Sequence, residues 1–247
     1  ILKCKFNWTL VGWSINIKIG VDNIIELNKF YIGESVEWMK NNMPNNFVDL
    51  TVTSPPYDDL RNYNGFTFDY KAMLDELYRV TKDGGVVVWV VGDKTDKGSE
   101  TGTSFKQALY AKEIGFNIND IQIYYKNNPI PTAGKRYHQH FEYMFVFSKG
   151  TPNVFNPIME DCKYIGVANM KNRGKEGLLE YNKIERTKTK KVGNVFFYSI
   201  GGGITTKDKV AYNHPAIFPD KLAEDQILTW SNEGDIIFDP MCGSGTT

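Results

Sequence analysis

Two short segments carry residue types that could do chemistry. The first is Thr53-Ser54-Pro55-Pro56-Tyr57. Successive prolines fix φ and offer no backbone N–H, so they end a preceding strand and stiffen the chain. That rigidity would aim the Ser54 hydroxyl, the Pro55 carbonyl and the Tyr57 ring into one crevice. The second segment is Asp239-Pro240-Met241-Cys242-Gly243-Ser244-Gly245. Its two glycines let the backbone approach a ligand closely. No Lys-Ser/Thr follows them, which excludes a phosphate P-loop, and the third glycine of a dinucleotide fingerprint is missing. Taken singly, the glycine segment is better explained as a structural turn, and the Pro-Pro-Tyr segment equally well as one.

The elements that must position these segments follow from hydrophobic period. Lys29–Ile32 is a short apolar strand, and Ser35 is placed to cap a helix over 36–42 with Val36 and Met39 on its buried side. Residues 47–52 read as a buried strand running into the two prolines. A helix over 69–81 puts Tyr70, Met73, Leu74, Leu77 and Tyr78 on one face, Gly84-Gly85 breaks it, and a valine-rich run follows at 86–91. Such a run fits a strand covered on both faces. A helix over 103–114 and strands over 118–125 and 141–147 continue the pattern. Near the end, a helix over 219–231 and a strand over 235–238 lead into the glycine segment.

This alternation predicts an α/β fold with a doubly wound, mainly parallel sheet, whose ligands bind beyond the strand ends. Residues 28–149 and 207–247 would form its two halves. Between them, 150–206 is rich in Asn, Gly and Lys, has no period, and reads as an irregular basic insertion. Residues 1–27 read as an appended leader outside the fold or, equally, as a genuine edge strand. The chain opens at Ile1 and stops within Gly245-Thr246-Thr247, so a fragment is expected.

Lys+Arg and Asp+Glu are 29 each among 247 residues, which excludes a whole-molecule electrostatic grip on nucleic acid but not a local patch. One candidate patch lies between Lys163 and Lys191, where nine basic residues stand against three acidic ones. Lys171, Arg173, Lys188, Lys190 and Lys191, with Lys135 and Arg136 from a second loop, could track phosphates beside Tyr137, Tyr164 and Tyr181. A solvated surface loop is the plainer reading of that run. Three scattered cysteines, Cys4, Cys162 and Cys242, fit a reducing cytosol better than a disulfide framework. His138-x-His140 lacks a carboxylate or thiol at matching spacing, so no metal site is expected. Asp93 reads as a cap or turn. No stretch reaches the ~18 apolar residues of a membrane helix.

In combination and in order, the two segments resemble the DNA amino-methyltransferases, which methylate N4 of cytosine or N6 of adenine. Thr53-Ser54-Pro55-Pro56-Tyr57 is similar to the family's catalytic motif, and the stretch from Phe238 to Thr247 to its cofactor loop. His214-Pro215-Ala216-Ile217-Phe218-Pro219 with Leu222 is similar to the segment just upstream. The catalytic motif comes first, as in the circularly permuted β group.

The resemblance implies a Rossmann-like methyltransferase fold. It implies S-adenosylmethionine as cofactor, held by Asp239, Pro240, Cys242, Gly243, Ser244, Gly245, His214 and Phe218, with Glu34 as a nearby acid. Catalysis would fall to Ser54, Pro55, Pro56 and Tyr57, acting on the exocyclic amine of a flipped base. Target recognition would lie in 150–206. The implied partner is double-stranded DNA, with no membrane, in the cytoplasm of a prokaryote or encoded by a phage. A cognate restriction endonuclease would act separately. Ser before Pro-Pro is the form most associated with cytosine-N4 members, which favours that product over adenine-N6. Competing readings are an RNA base or protein amide as acceptor, and a truncated DNA-binding relic without activity.

Overall fold

The computed structural model describes residues 2–5, 15–19, 23–57, 68–129, 131–132, 134–174, 176–201, 203–206, 219–243 and 245–247. In chain order the elements are β1 (Leu2–Lys5), β2 (Ile15–Ile19), β3 (Asn23–Leu27), β4 (Lys29–Ile32), α1 (Ser35–Asn42), β5 (Val48–Thr53), α2 (Tyr70–Val80) and β6 (Thr81–Val91). Next come β7 (Thr95–Asp96), β8 (Ser99–Glu100), α3 (Thr103–Glu113), β9 (Asn117–Lys126) and β10 (Phe141–Ser148). The remainder is β11 (Met159–Asp161), β12 (Gly166–Arg173), β13 (Leu179–Arg186), β14 (Thr189–Lys191), β15 (Val195–Tyr198), α4 (Asp220–Trp230) and β16 (Ile237–Asp239). The chain divides into two compact units, 157–193 and the rest.

The larger unit is built on an eight-stranded sheet of order β15-β9-β10-β6-β5-β16-β1-β4. Only β10 runs antiparallel to its neighbours β6 and β9, and the other pairs are parallel. Alternate residues of β6 explain its valine run. Val87, Trp89 and Val91 enter the core with Met39, Leu74, Leu77 and Ala111 of the helices α1 to α3. Val86, Val88 and Val90 face the other way, onto Leu222 and Trp230 of α4. Burying each such side chain contributes roughly 1.5–3 kcal/mol, so a strand covered on both faces is strongly held. The doubly wound, mainly parallel sheet is therefore as expected.

Three local expectations need correction. Leu2–Lys5 is bonded on both sides, to β16 and to β4, so this part of 1–27 is neither outside the fold nor an edge. A four-residue strand paired with distant partners leaves no period to read. Second, α1 is capped by Glu34, whose carboxylate accepts from the backbone N–H groups of Val36 and Glu37 at 3.1 and 2.7 Å, and not by Ser35. Third, the aperiodic stretch 150–206 holds regular strands: β15 joins the main sheet beside β9. The smaller unit, 157–193, pairs β11 with β14 and β12 with β13. Most residues of β12 and β13 are exposed, so alternation of polar and apolar types is not required of them.

Candidate functional site

Strands β5 and β16 lie side by side and parallel, with Leu50 opposite Ile237 and Thr51 opposite Phe238. Their carboxyl ends therefore open at the same edge, and the two chemistry-bearing segments leave from adjacent points. Thr53 Oγ1 donates to Asp239 Oδ1 at 2.7 Å, and the Met241 N–H donates to the same oxygen at 3.0 Å. Both Thr53 and Asp239 are buried. Thr247 Oγ1 donates to the Val52 carbonyl at 3.3 Å, tying the far end of the glycine loop to β5. Ser35 at the start of α1 donates to the Pro240 carbonyl at 2.6 Å.

The glycine loop turns tightly. Gly243 and Gly245 have φ of +47° and +88°, a region that L side chains avoid. The Gly245 N–H donates to the Cys242 carbonyl at 2.6 Å. A Cβ on Gly245 would come within 2.9 Å of the Phe30 ring, so this position needs glycine for space as well. Asp239, Pro240 and Cys242 are buried. Ser244, His214 and Phe218 lie outside the described residues.

In the segment that follows β5, Pro55 is buried and Ser54, Pro56 and Tyr57 are half-buried. Ser54 Oγ lies 3.1 Å from Tyr57 Oη, which donates to Glu142 Oε2 at 2.7 Å. The other Glu142 oxygen is paired with Lys126 Nζ. The Tyr57 ring packs against Gly92, where an added Cβ would sit 3.4 Å from the ring edge. Burial raises the Tyr57 hydroxyl well above the ordinary tyrosine range, and the nearby Glu142 carboxylate adds to this. The phenol stays protonated and remains a donor.

Glu142 and Lys126 were not singled out by sequence. A signal was available for Glu142, the one charged residue of strand 141–148, whereas Lys126 ends a strand, 117–126, that also carries Asn119, Asp120 and Gln122 and so gave none. Asp93 follows Gly92 and accepts from the N–H of Ser104 and from Thr101 Oγ1, so it supplies the cap that Gly102 cannot give α3. A cleft of about 580 Å³ lies beside it, lined by Asp93, Glu100, Arg136, Tyr137, His138 and Phe141 among others.

The basic candidates separate into two sets. Lys135 is exposed. Arg136 spends its guanidinium on Thr95 Oγ1 at 2.6 Å and the Gly98 carbonyl at 3.1 Å, bracing the β7–β8 hairpin. In the smaller unit, cross-strand register puts Asn169, Lys171, Arg173, Tyr181 and Lys183 on one face of the β12–β13 ribbon. Ala168 and Ile184, half-buried, share the other face. Lys171 Nζ lies 5.5 Å from the Tyr181 ring centre. Lys190 pairs with Glu160 at 3.0 Å, while Lys188 and Lys191 are exposed. His138 Nδ1 accepts from the Thr132 N–H, and His140 Nδ1 bonds the Lys126 carbonyl. Among the described residues no three His, Cys, Asp or Glu side chains cluster as metal ligands, and no helix is long and apolar enough to cross a membrane.

Comparison with known proteins bears on this arrangement. A family model described as DNA methylase, of the N6 and N4 type, matches residues 48–247. The orphan methyltransferase M.BamHII of Bacillus amyloliquefaciens is 54% identical over 218 residues, covering 85% of this chain and 81% of that protein. The type II methyltransferase M.BglII of Bacillus subtilis is 26% identical over 90% of this chain, which spans 61% of that relative's length. Among solved structures, the M1.HpyAVI complex with SAM shares the fold at a TM-score of 0.55 and 23% identity, over 88% of this chain and 84% of that one.

Proposed function

The chain belongs to the DNA methylase family of N6 and N4 methyltransferases, and from that premise we propose that it methylates the exocyclic amine of a cytosine at N4 in double-stranded DNA. Its cofactor is S-adenosylmethionine, the methyl donor of the family. The observation that carries the reading is the 2.7 Å bond between Thr53 and Asp239, which fixes the Ser54–Tyr57 segment beside the glycine loop.

The residues at the site fit that cofactor. From Asp239 to Thr247 there is one acid and no base, and the Thr53–Tyr57 segment is uncharged, so the side-chain charge of the crevice suits a cationic ligand better than a phosphate. Gly243 and Gly245 would let backbone approach it, with Asp239, Pro240 and Cys242 as walls. Ser244, His214 and Phe218 are assigned with them. Glu34 holds α1 by both oxygens, and its remaining lone pairs would serve a ribose. When bound, S-adenosylmethionine supplies an electrophilic methyl on sulfur.

The chain's own residues must make a poor nucleophile better. An exocyclic amine is weak because its lone pair is delocalised into the ring. Hydrogen bonds from its two protons to Ser54 Oγ and the Pro55 carbonyl pull the nitrogen toward tetrahedral geometry and free the pair. Pro55 and Pro56 keep those acceptors in place, so positioning and electrostatics carry the rate. Tyr57 stacks on the extruded base, a contact worth ~1–3 kcal/mol. Cytosine is favoured over adenine-N6 because Ser, rather than Asp or Asn, precedes Pro-Pro.

DNA is the partner we assign to the basic face of the β12–β13 ribbon. A two-stranded ribbon fits the major groove, and Lys171, Arg173 and Lys183 suit phosphates while Asn169 suits a base edge. Lys135, Lys188, Lys190 and Lys191 would add phosphate contacts, whereas Arg136 acts through the hairpin it braces. The three cysteines are odd in number and far apart in sequence, which suits the reducing cytoplasm where such a substrate lies. A restriction endonuclease of the same specificity is the natural counterpart.

The test is incubation with duplex DNA and methyl-labelled S-adenosylmethionine, followed by nucleoside analysis. N4-methylcytosine supports the proposal. N6-methyladenine overturns the choice of base, and no labelled nucleoside overturns the reaction.

A further inference from the structure

We propose that Glu142, ion-paired with Lys126, is a positioning residue that sets the direction of the hydrogen bonds through Tyr57 and thereby makes Ser54 a pure acceptor toward the target amine. The inference rests on the reading of Ser54 as the amine's acceptor. It follows from counting protons along one chain of contacts.

A phenol has one proton. Tyr57 donates it to Glu142 Oε2 at 2.7 Å, because a carboxylate paired with Lys126 can only accept. Tyr57 Oη therefore has only lone pairs left for Ser54 Oγ, 3.1 Å away. In that contact Ser54 must be the donor. Its single proton is then committed, and what it presents elsewhere is lone pairs. That polarity is the one the reaction needs, since the exocyclic amine offers N–H donors and a serine proton aimed at it would repel it.

The fold holds the relay in place. Glu142 is the second residue of β10, one before Tyr143, which pairs with Val91 at the end of β6, so its carboxylate reaches Tyr57 at the crevice. Lys126 ends β9, alongside β10. The side chains of Glu142 and Lys126 keep only 15% and 21% of their exposure, so water competes poorly for the pair. The phenol's resistance to ionisation keeps the donor present throughout the neutral range. A carboxamide at 142 removes the constraint. Its NH₂ can donate to Tyr57 Oη, the phenol proton can turn to Ser54, and the serine proton is freed to point at the amine.

The test is a double-mutant cycle in the full chain, reading methyl transfer to duplex DNA together with thermal unfolding. Glu142→Gln should lower kcat by about 10- to 100-fold, with KM for DNA and for S-adenosylmethionine within about threefold of the parent. Tyr57→Phe should lower kcat to a similar degree, and the double variant should be no slower than Tyr57→Phe alone. If Glu142→Gln lowers the unfolding midpoint, Glu142→Gln with Lys126→Met removes the stranded cation and carries the same expectation. Unchanged kcat in the Glu142 variants, or losses that multiply in the double variant, overturns the relay while leaving the methyltransferase reading intact. Absence of transfer by the parent chain overturns both.

Discussion

Thr53 and Asp239, 186 residues apart in sequence, meet through a 2.7 Å hydrogen bond between neighbouring parallel strands. This bond joins the Ser54–Tyr57 segment, which we propose presents the base, to the glycine loop, which we propose holds the cofactor. Thr53→Val keeps the side-chain shape and removes one of the donors that Asp239 Oδ1 accepts from. The expected cost is about 1–3 kcal/mol of stability, because a buried polar group loses a partner. Denaturant unfolding checks the stability. Isothermal titration with S-adenosylmethionine should show weaker binding, and equal affinity in the variant would detach the bond from cofactor binding.

Tyr57→Ala should fold and bind cofactor yet lose most transfer. The lost stacking contact of ~1–3 kcal/mol alone corresponds to roughly a 5- to 150-fold fall in kcat/KM for DNA. The loss of the Tyr57 hydroxyl adds to this, so Tyr57→Ala should be slower than Tyr57→Phe. Near-parental rates would remove Tyr57 from the base pocket.

Ribbon and hairpin arginines should behave differently. Arg173→Ala should weaken DNA binding across sequences and lower the slope of log K against log salt by about 1, as loss of one phosphate contact does. Arg136→Ala should instead lower the unfolding midpoint through the β7–β8 hairpin and leave that slope close to the parent's. Filter binding over a salt series separates the two, and identical slopes for Arg173→Ala and the parent would take the ribbon face off the DNA.

Alkaline stability follows from three tyrosines. Burial is the first cause raising Tyr57, Tyr124 and Tyr198 above the ordinary 10.0, and nearby carboxylates, Glu142 for Tyr57 and Tyr124 and Asp225 for Tyr198, add to it. Above pH 10 the unfolded chain releases these protons while the folded chain keeps them. The unfolded state then binds fewer protons, so unfolding free energy falls as pH rises. The contribution is full below pH 10 and lost as pH climbs through the raised folded values. Tyr124→Phe should flatten the decline, measured as unfolding midpoint between pH 9 and about 11.

Gly245→Ala combines a left-handed φ with a Cβ 2.9 Å from Phe30. The conformation alone costs roughly 1–2 kcal/mol. Thermal unfolding should show the loss, and Phe30→Ala should recover the steric part only.

The helices and central strands were legible because their periods are local. Met73, Leu74 and Leu77 recur on one helical face, and the run from Val86 to Val91 is apolar on both sides because the sheet is covered on both. Ser54, Tyr57 and Asp239 could be singled out because proline and glycine restrict backbone in ways visible from residue type. What stayed hidden was non-local. Pairing of Leu2–Lys5 with β16 and β4 depends on partners far along the chain. The Tyr57–Glu142 bond spans 85 residues. Helix capping by Glu34 in place of Ser35 was a choice between adjacent acceptors, decided when the Pro240 carbonyl engaged the serine.

The loops at Ser54 and Gly243 are neighbours because parallel strands β5 and β16 bond to each other, and no short connection between them is involved. Gene order is thus free to vary around a fixed geometry. A polypeptide with its original ends joined and new ones opened in an exposed turn would rebuild the same crevice, so rearranged relatives can share one chemistry without sharing one order of parts.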